Sequence, residues 1–317
     1  MTTLVTGGAG FIGSHVAAAL LARGESVVVI DNFNDYYDPA IKRHNAARLT
    51  HYESCTLVEG DIRDAQLVKR VLADQRITRV AHLAALAGVR ASVDQPRLYL
   101  DVNLTGTLNL LESAKQSGVE QFVLASTSSV YGRTPILPFV ETDTADRPLA
   151  AYPASKRAAE LLAHTYHNLA EMPVTALRFF NVYGPAGRPD MMPWRLLEAT
   201  QTGAAIKLFN GGDIHRDWTY IADTVDGVLA ALDKPLGYEI INLGCGAPIS
   251  LTDFVEIIKD YAGKAINTVS VPTPPSDPPI TYCNNDKARK LLGFAPSVSI
   301  RDGLRRTWEW YRDYRGL

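Results

Sequence analysis

The sequence has few cysteines, no long apolar run and almost no excess of charge of either sign. Cys55, Cys245 and Cys283 are scattered and odd in number, so they match neither a disulfide framework nor a zinc-binding spacing. We expect them to be partly buried thiols in a reducing compartment. No apolar stretch reaches the roughly 20 residues that cross a bilayer. The net charge of −2 gives no general attraction to nucleic acid or to an anionic membrane, so affinity for an anionic ligand must come from local arginines or helix ends.

The rest of the composition is that of a globular protein. A chain of 317 residues with 46% hydrophobic residues can bury a sizeable core in one large domain or two smaller ones. The N-terminus leads directly into a strand and lacks the basic and apolar regions of a signal peptide, so we expect a cytoplasmic protein. We predict no metal site.

A glycine-rich turn near the N-terminus joins a strand to a helix. The glycines fit both G-x-x-G-x-x-G (Gly7, Gly10 and Gly13) and G-x-G-x-x-G (Gly8, Gly10 and Gly13). Such glycines allow a tight turn, a close approach of the backbone to a pyrophosphate, and close packing of the helix on the sheet. The helix N-terminus then presents free amides to the phosphates. The elements predicted here are a strand over 3–6, a helix from about Ser14 to Arg23 and a second strand over 26–31.

Two acidic residues follow the next strands of this unit. Asp31 ends the second strand, near the distance of about twenty residues expected for an acid that binds the cofactor ribose. Its carboxylate can accept from ribose hydroxyls and repels a 2′-phosphate, which favours NAD over NADP. Asp61 follows a third strand over 56–59; it can cap the next helix or reach the adenine amine, and both interpretations remain open. His82 lies within a fourth, apolar strand and is predicted to be a core histidine.

The alternation of strands and helices continues to about residue 180. It predicts an α/β doubly wound parallel sheet of the Rossmann type. Leu100, Leu104, Leu108 and Leu111 have helical spacing within a predicted helix over 97–117, which indicates core or a helix–helix interface. Proline and glycine become frequent after Asn181, which indicates a smaller C-terminal substrate-binding lobe. The predicted domains are 1–180 plus about 217–236 for NAD, with a helix over 220–232, and 181–216 plus 237–317 for the substrate.

A hydroxyl-rich strand end and a Tyr-x-x-x-Lys pair carry the predicted chemistry. A fifth strand, over 121–125, delivers Ser126 to Ser129 at its C-terminal end, where ligands bind in an open parallel sheet. Tyr152 and Lys156 are four residues apart and share one face of a helix predicted over 152–169. A lysine ammonium and the positive nicotinamide ring both favour the phenolate of a tyrosine whose usual pKa is about 10. With a hydroxyl at Thr127, this arrangement suits oxidation of a secondary alcohol with hydride passing to NAD.

The chain resembles the extended short-chain dehydrogenases/reductases of the NAD-dependent epimerase/dehydratase family. Within that family it is most similar to the UDP-glucuronate 4-epimerases, and the similarity covers nearly the whole chain. The segments Asn34–Tyr37 and Gly187–Met191 are the most specific to that group. The motifs that carry the resemblance are Thr6–Ser14, Asp31–Pro39, Leu83–Arg90, Ser126–Gly132, Tyr152–Lys156, Arg178–Pro185, Gly187–Met191 and Arg216–Ile221.

The resemblance implies a role for individual residues. It implies Tyr152 as catalytic base, Lys156 as the residue that tunes it, and Thr127 as their hydroxyl partner. It implies a UDP-sugar substrate and a homodimer built from the helices over 97–117 and 152–169. The cofactor-binding residues that it implies are Gly7, Gly10, Phe11, Ile12, Gly13, Asp31, Asn32, Asp61, Ile62, Leu83, Ala84, Ala85, Asn103, Ser126, Tyr152 and Lys156. The substrate-binding residues are Arg90, Thr127, Ser128, Ser129, Asn181, Arg188, Arg216 and Asp277.

The implied reaction is NAD-dependent epimerisation at C4 of a UDP-hexuronic acid through a 4-keto intermediate. Arg216 suits the diphosphate, and Arg188 suits the sugar carboxylate because a planar guanidinium binds two oxygens; a surface ion pair is the alternative for each. The 4-keto intermediate has a ketone β to its carboxylate, so decarboxylation is a hazard. Ser128, Ser129 and Arg188 are the candidates for holding the carboxylate away from the alignment that decarboxylation needs.

Four alternatives remain. A UDP-glucuronate decarboxylase usually has Glu before Val-Tyr-Gly, where this chain has Ser129. A 4,6-dehydratase has Asp-Glu where this chain has Ser128-Ser129. Asn181 is similar to the UDP-galactose 4-epimerases, whereas glucuronate enzymes have threonine there. A non-catalytic NAD-binding protein belongs to a different class and often lacks the Tyr or the Lys, both of which are present here.

Overall fold

The computed structural model describes all residues from Met1 to Leu317. Its strands are short and mostly buried in the first half of the chain. They are β1 (Thr2–Thr6), β2 (Ser26–Asp31), β3 (Cys55–Glu59), β4 (Arg79–His82), β5 (Gln121–Thr127), β6 (Val174–Phe179), β7 (Asn181–Tyr183), β8 (Ile206–Phe209), β9 (His215–Tyr220), β10 (Tyr238–Leu243), β11 (Pro248–Ser250), β12 (Thr268–Val271) and β13 (Ile280–Thr281).

Twelve α-helices alternate with these strands. They are α1 (Phe11–Ala22), α2 (Pro39–Leu49), α3 (Ala65–Asp74), α4 (Ala91–Asp94), α5 (Pro96–Leu100), α6 (Gly106–Ser117), α7 (Ala151–Ala170), α8 (Met192–Thr202), α9 (Ile221–Asp233), α10 (Leu251–Ala262), α11 (Asp286–Leu292) and α12 (Ile300–Arg315). A π-helix over Asp101–Thr105 lies between α5 and α6, and 3₁₀ turns cover Ser128–Tyr131 and Asn210–Gly212. None of these helices is long and apolar enough to cross a membrane.

Seven parallel strands form the central sheet, in the order β10-β6-β5-β4-β1-β2-β3. Successive side chains of a strand point to opposite faces, so Val27 and Val29 of β2 join one core cluster while Val28 and Ile30 join the other. Helices α1 and α9 cover the first face, and α3, α6 and α7 cover the second. The predicted doubly wound α/β fold is therefore confirmed.

The central sheet differs from the predicted NAD-binding segments at two strands: β10 joins this sheet, and β9 pairs in the sheet of the smaller lobe. β10 pairs with β6 from Tyr238 to Leu243, so the part of the chain that returns to the central sheet continues beyond residue 236. The smaller lobe contains β7, β9, β11 and β13 in one sheet and the parallel pair β8–β12. The cause is the pairing of β10 with a strand about 64 residues earlier, which local sequence patterns do not encode.

The predicted helix over 97–117 exists, but Asp101–Thr105 forms a π-helix within it. The leucine stripe on this helix is only partly core. Leu111 is fully buried, Leu104 and Leu108 are half-buried, and Leu100 is 42% exposed. The stripe therefore leaves an apolar face on the surface beside α7.

Candidate active site

One cavity of about 690 Å³ lies at the C-terminal ends of the central strands and extends to the smaller lobe. It brings together residues of β2, β5 and the loops that follow β1 and β4 on one side, and residues of β8 and β9 on the other. Every cofactor- and substrate-binding residue predicted from the sequence lines this cavity, with the single exception of Asn103.

The glycine turn brings α1 unusually close to β1. A Cβ atom on Gly13 would lie 2.1 Å from the carbonyl oxygen of Gly7, and one on Gly7, whose φ is +67°, would lie 2.8 Å from the backbone of Ala84. Gly10 precedes α1 and offers no side-chain cap, and the first turn of the helix has no acidic residue. The free amides at this end of α1 are therefore available to an anionic ligand such as a pyrophosphate.

At the next strand ends, two carboxylates face the same part of the cavity. Asp31 accepts from the backbone N–H of Ala9 at 3.1 Å and of Phe33 at 2.9 Å, and burial raises its pKa. Asp61 accepts from the amide of Asn32 at 2.9 Å, and hydrogen bonds from Arg63 lower its pKa to about 2.

The structure decides between the two interpretations of Asp61 as far as helix capping is concerned. Asp64, and not Asp61, caps α3 by accepting from the backbone N–H of Leu67 at 3.0 Å. Asp61 instead accepts from the backbone N–H of Arg63 at 2.8 Å and from its guanidinium, so both carboxylate oxygens are engaged within the protein. His82 is fully buried between the hydroxyls of Thr6, at 2.8 Å, and Thr107, at 2.9 Å. Burial holds its pKa well below the usual value, which confirms the prediction of a core histidine.

Thr127, Tyr152 and Lys156 converge where β5 ends and α7 begins. Burial raises the pKa of the Tyr152 phenol, while the nearby hydroxyl of Thr127 and the charge of Arg188 act in the opposite direction. The Nζ atom of Lys156 is buried without any hydrogen-bond partner, and burial lowers its pKa to about 8. An unpartnered ammonium that lines a cavity requires acceptors from a ligand, and the ribose hydroxyls of a dinucleotide are suitable.

Behind this group lies a buried ion pair that the sequence analysis did not identify. Glu160, one turn after Lys156 on α7, accepts from Arg178 of β6 at 2.9 and 2.8 Å and from Arg157 at 3.0 Å. The hydroxyl of Ser126 also donates to Glu160. Glu160 is fully buried, so this network fixes the end of β5 relative to α7 and commits the Ser126 hydroxyl proton to the protein.

Asn103 is the one predicted cofactor-binding residue that the structure does not bring to the cavity. Its side chain is fully buried, accepts from the backbone N–H of Leu86 at 2.8 Å, and donates to the carbonyl of Leu86 at 2.9 Å and the hydroxyl of Ser155 at 3.0 Å. All the hydrogen-bonding groups of the amide are therefore engaged within the protein. Asn103 ties the loop after β4 to α7 instead of contacting a ligand through its side chain.

The part of the cavity beyond Thr127 carries small hydroxyls and one arginine. Ser128 and Ser129 begin the 3₁₀ turn after β5, and Thr127 Oγ1 accepts from the backbone N–H of Ser129 at 3.2 Å. Asn181 starts β7 and lines the same region. Arg188 pairs with Asp190 through two hydrogen bonds, yet its side chain is only 20% exposed. It is therefore a cavity residue and not a surface ion pair.

A cationic group lies at the far end, in the smaller lobe. Arg216 of β9 donates to the carbonyls of His215, at 2.9 Å, and Pro279, at 3.3 Å, and faces Asp277 at 3.4 Å. Arg90 lies 3.7 Å from the same carboxylate. Two arginines thus face one acid, and Lys207 also lines the cavity, which leaves a net positive charge for a diphosphate.

Several lining residues were missed from the sequence. Lys207 and Phe209 are two residues apart on β8 and therefore share one face of the strand, which could have been predicted from the sequence. The ring centre of Phe209 lies 5.0 Å from the guanidinium of Arg90. Tyr36 and Asp190 belong to the two most family-specific segments, but no role was derived for them. Both line the cavity.

The chain belongs to the NAD dependent epimerase/dehydratase family, whose model matches residues 3–244. It is 45% identical over 312 residues to a UDP-glucuronate 4-epimerase of Thermodesulfobacterium geofontis, covering 98% of this chain and 96% of that one. It is 41% identical over 335 residues to UDP-glucuronate 4-epimerase 4 of Arabidopsis thaliana, covering 99% and 76%. A crystal structure of UDP-glucuronic acid 4-epimerase from Bacillus cereus in complex with UDP-glucuronic acid and NAD superimposes with a TM-score of 0.92 at 35% identity, covering 99% and 100%.

Proposed function

We propose that the protein is an NAD-dependent 4-epimerase that interconverts UDP-glucuronate and UDP-galacturonate. The observation that carries this proposal is the convergence of Thr127, Tyr152 and Lys156 in a cavity with a dinucleotide-type glycine turn at one end. Arg188 supplies a cation for an acidic sugar in the same cavity. The names of the relatives from Thermodesulfobacterium and Arabidopsis support the same activity.

The residues present suit NAD. The amides of the glycine turn suit its pyrophosphate, Asp31 suits the adenosine ribose, and the unpartnered Lys156 suits the nicotinamide ribose. Bound NAD supplies a reversible hydride acceptor for C4 of the sugar. The carboxylate of Asp31 disfavours a 2′-phosphate, which supports NAD over NADP.

The protein's own residues handle the proton and the sugar. Tyr152 takes the proton of the C4 hydroxyl as that carbon is oxidised and returns it when the carbonyl is reduced. Thr127 donates a hydrogen bond to the same oxygen. The positive charge of Arg188 favours the phenolate form of Tyr152, and in this proposal the ammonium of Lys156, one turn along α7, acts in the same direction. The 4-keto sugar turns over within the site between the two half-reactions, so that its opposite face is reduced.

Suppression of decarboxylation is the second task of the site. The C5–C6 bond of the 4-keto intermediate breaks only when it is aligned with the ketone π system. Ser128, Ser129 and Arg188 hold the carboxylate away from that alignment in this proposal. Neither serine can act as an acid or base at neutral pH, which disfavours a dehydratase or decarboxylase.

A second candidate is a UDP-glucose 4-epimerase, because Asn181 is similar to the residue in the galactose-type enzymes. A crystal structure of UDP-glucose 4-epimerase from Thermotoga maritima with UDP-glucose superimposes with a TM-score of 0.91 at 30% identity. The two activities differ in whether the cavity accepts a neutral or an acidic C6 group. Arg188 favours the acid.

Incubation of the purified protein with UDP-glucuronate, without added NAD, tests the proposal. We expect UDP-galacturonate as the main product and little conversion of UDP-glucose measured in parallel. Tyr152→Phe is the control: it should bind NAD and unfold at a similar temperature but lose turnover by more than about a hundredfold, the lower end of the usual contribution of a general base. A UDP-pentose as the main product would contradict the epimerase assignment and indicate a decarboxylase. Preferential conversion of UDP-glucose would favour the second candidate.

We further propose that the protein is a cytoplasmic homodimer. The apolar face beside α7, formed by the exposed Leu100 and the half-buried Leu104 and Leu108, supports the dimer.

A further inference from the structure

Two segments that are distant in the sequence meet at the sugar end of the cavity. One is Asn34–Tyr37, after β2, and the other is Gly187–Met191, before α8. The hydroxyl of Tyr36 lies 3.5 Å from Oδ2 of Asp190, and the guanidinium of Arg188 lies 5.4 Å from the centre of the Tyr36 ring. Their contact brings an aromatic ring, a carboxylate and an arginine into one group.

Arg188 is oriented by this group. Its Nε donates to Oδ1 of Asp190 at 3.0 Å and its Nη2 donates to Oδ2 at 2.6 Å. Such a bidentate pair fixes the plane of the guanidinium. Nη1 has no hydrogen-bond partner in the protein and is not enclosed by it. The edge of Arg188 that carries Nη1 is therefore the one that can bind a ligand.

Tyr36 is itself held from two sides. Its backbone N–H donates to Oδ1 of Asn34 at 3.2 Å, and Lys42 fixes Asn34 by donating to its carbonyl and to Oδ1, each at 2.8 Å. On the other side, a Cβ atom on Gly88 would lie 2.5 Å from the Tyr36 hydroxyl oxygen. The absence of a side chain at Gly88 thus leaves space for the Tyr36 hydroxyl. The segment Asn34–Tyr37 cannot move the ring away from Asp190 without breaking the hydrogen bonds of Asn34.

We propose that Asp190 and Tyr36 are positioning residues that aim the free edge of Arg188 at the sugar carboxylate, so that selection of an acidic over a neutral nucleotide sugar depends on both. This inference rests on the proposed function. The charge of Asp190 alone acts against an acidic ligand, because like charges repel. Asp190 therefore aids binding of the acid through orientation, since a pre-ordered side chain loses less conformational entropy when the ligand binds.

The test compares UDP-glucuronate with UDP-glucose in calorimetric titrations of the NAD-loaded protein. All proteins carry Tyr152→Phe, so that the ligand is not converted. We expect Asp190→Asn and Tyr36→Phe each to weaken UDP-glucuronate about three- to tenfold, the loss that corresponds to one side chain that must be ordered on binding. The dissociation constant for UDP-glucose should change by less than about twofold, which is within the experimental scatter of such a comparison.

Two further variants make the comparison specific. Asp260→Asn is the matched control, because Asp260 also faces an arginine, Arg301 at 3.5 Å, but is 61% exposed and does not line the cavity. This variant should leave the affinity for both ligands unchanged. Asp190→Asn in an Arg188→Ala background should have no further effect, because residues that act through one another are not additive. Melting temperatures and NAD content establish that each variant is folded and loaded.

The outcomes separate the inference from the function on which it rests. If the parent protein does not prefer the acid, the proposed acid specificity and the inference both fail. If the parent prefers the acid, three results overturn the inference alone. Asp190→Asn could bind UDP-glucuronate more tightly, or it could lose affinity equally for both ligands. It could also weaken UDP-glucuronate binding by the same factor in the Arg188→Ala background. The first of these would show that Asp190 acts only as an opposing charge.

Discussion

Lys156 carries a charge that the surrounding protein does not neutralise. Its side chain is 2% exposed, and its Nζ has no hydrogen-bond partner. Burial lowers its pKa from 10.5 to about 8, although the charge of Glu160 partly opposes this change. The folded state thus bears a cost for holding this ammonium in place, as is common for functional residues that bind a ligand.

Lys156→Met should therefore stabilise the cofactor-free protein at pH 7 while it abolishes turnover. The difference between a pKa of 10.5 in the unfolded chain and about 8 in the folded protein corresponds to at most about 3 kcal/mol. Between these two pH values the unfolded chain binds more protons than the folded protein, so the stability of the wild type rises with pH. The advantage of the variant should be complete below pH 8 and fade toward pH 10.5.

Urea unfolding of cofactor-free wild type and variant at pH 7 and pH 9.5 measures this effect. Lys69→Met is the control, because Lys69 is exposed on α3 and does not line the cavity. Its effect on stability should be small and similar at both pH values. A destabilised Lys156→Met protein at pH 7 would contradict the idea that the buried charge is costly.

At the scale of elements, the pair Glu160–Arg178 joins α7 to β6 behind the catalytic residues. Both side chains are almost completely buried, at 0% and 1% exposure. Loss of one partner leaves the other as an uncompensated buried charge, which costs about 3–5 kcal/mol, whereas replacement of both by apolar residues is often close to neutral.

Glu160→Leu should lower the free energy of unfolding by about 3–5 kcal/mol, and Glu160→Leu with Arg178→Met should recover at least about half of that loss. Urea unfolding of the two variants and the wild type measures both values. Glu160 also accepts from Arg157 and Ser126, which is why the recovery is not expected to be complete. A double variant as unstable as the single one would show that these other contacts, and not the unpaired Arg178, cause the loss.

The elements that the sequence predicted well are those with a local signal. The glycine turn, β2 and α1 follow from consecutive glycines and from apolar residues of strand or helix period, and their predicted bounds lie within about three residues of the observed ones. The π-helix at Asp101–Thr105 has no such signal, because it is associated with the bonds of Asn103 to Leu86, 17 residues earlier. For the same reason the sequence did not predict that the side-chain amide of Asn103 is engaged within the protein.

At the scale of the whole molecule, the sequence could identify the residues of the site but not their partners. The separate segments that contain Tyr36 and Asp190 were both recognised, yet their contact spans 154 residues and depends on how the smaller lobe meets the sheet. The place of β10 in the central sheet is a long-range pairing of the same kind. Local patterns predict elements, whereas these contacts are properties of the folded chain.

The apolar face beside α7 makes the oligomeric state testable. Leu100, Leu104 and Leu108 lie on one side of the helix over 96–117, and Leu161 of α7, a neighbouring helix, is 54% exposed. Exposed apolar residues on neighbouring helices often mark an interface, and a twofold dimer would bury the same face of both copies. We expect light scattering after size-exclusion chromatography to give about twice the chain mass of 34.6 kDa.

Leu161→Glu should convert this dimer to a monomer, because the variant buries an unpaired carboxylate at the contact. Val269→Glu is the matched control, since Val269 is similarly exposed, at 50%, but lies on β12 of the smaller lobe; it should remain a dimer. The cavity is lined by residues of a single chain, so the monomer should still bind NAD. A wild type that is monomeric at micromolar concentration would exclude the interface, and a dimer that tolerates Leu161→Glu would place it on another face.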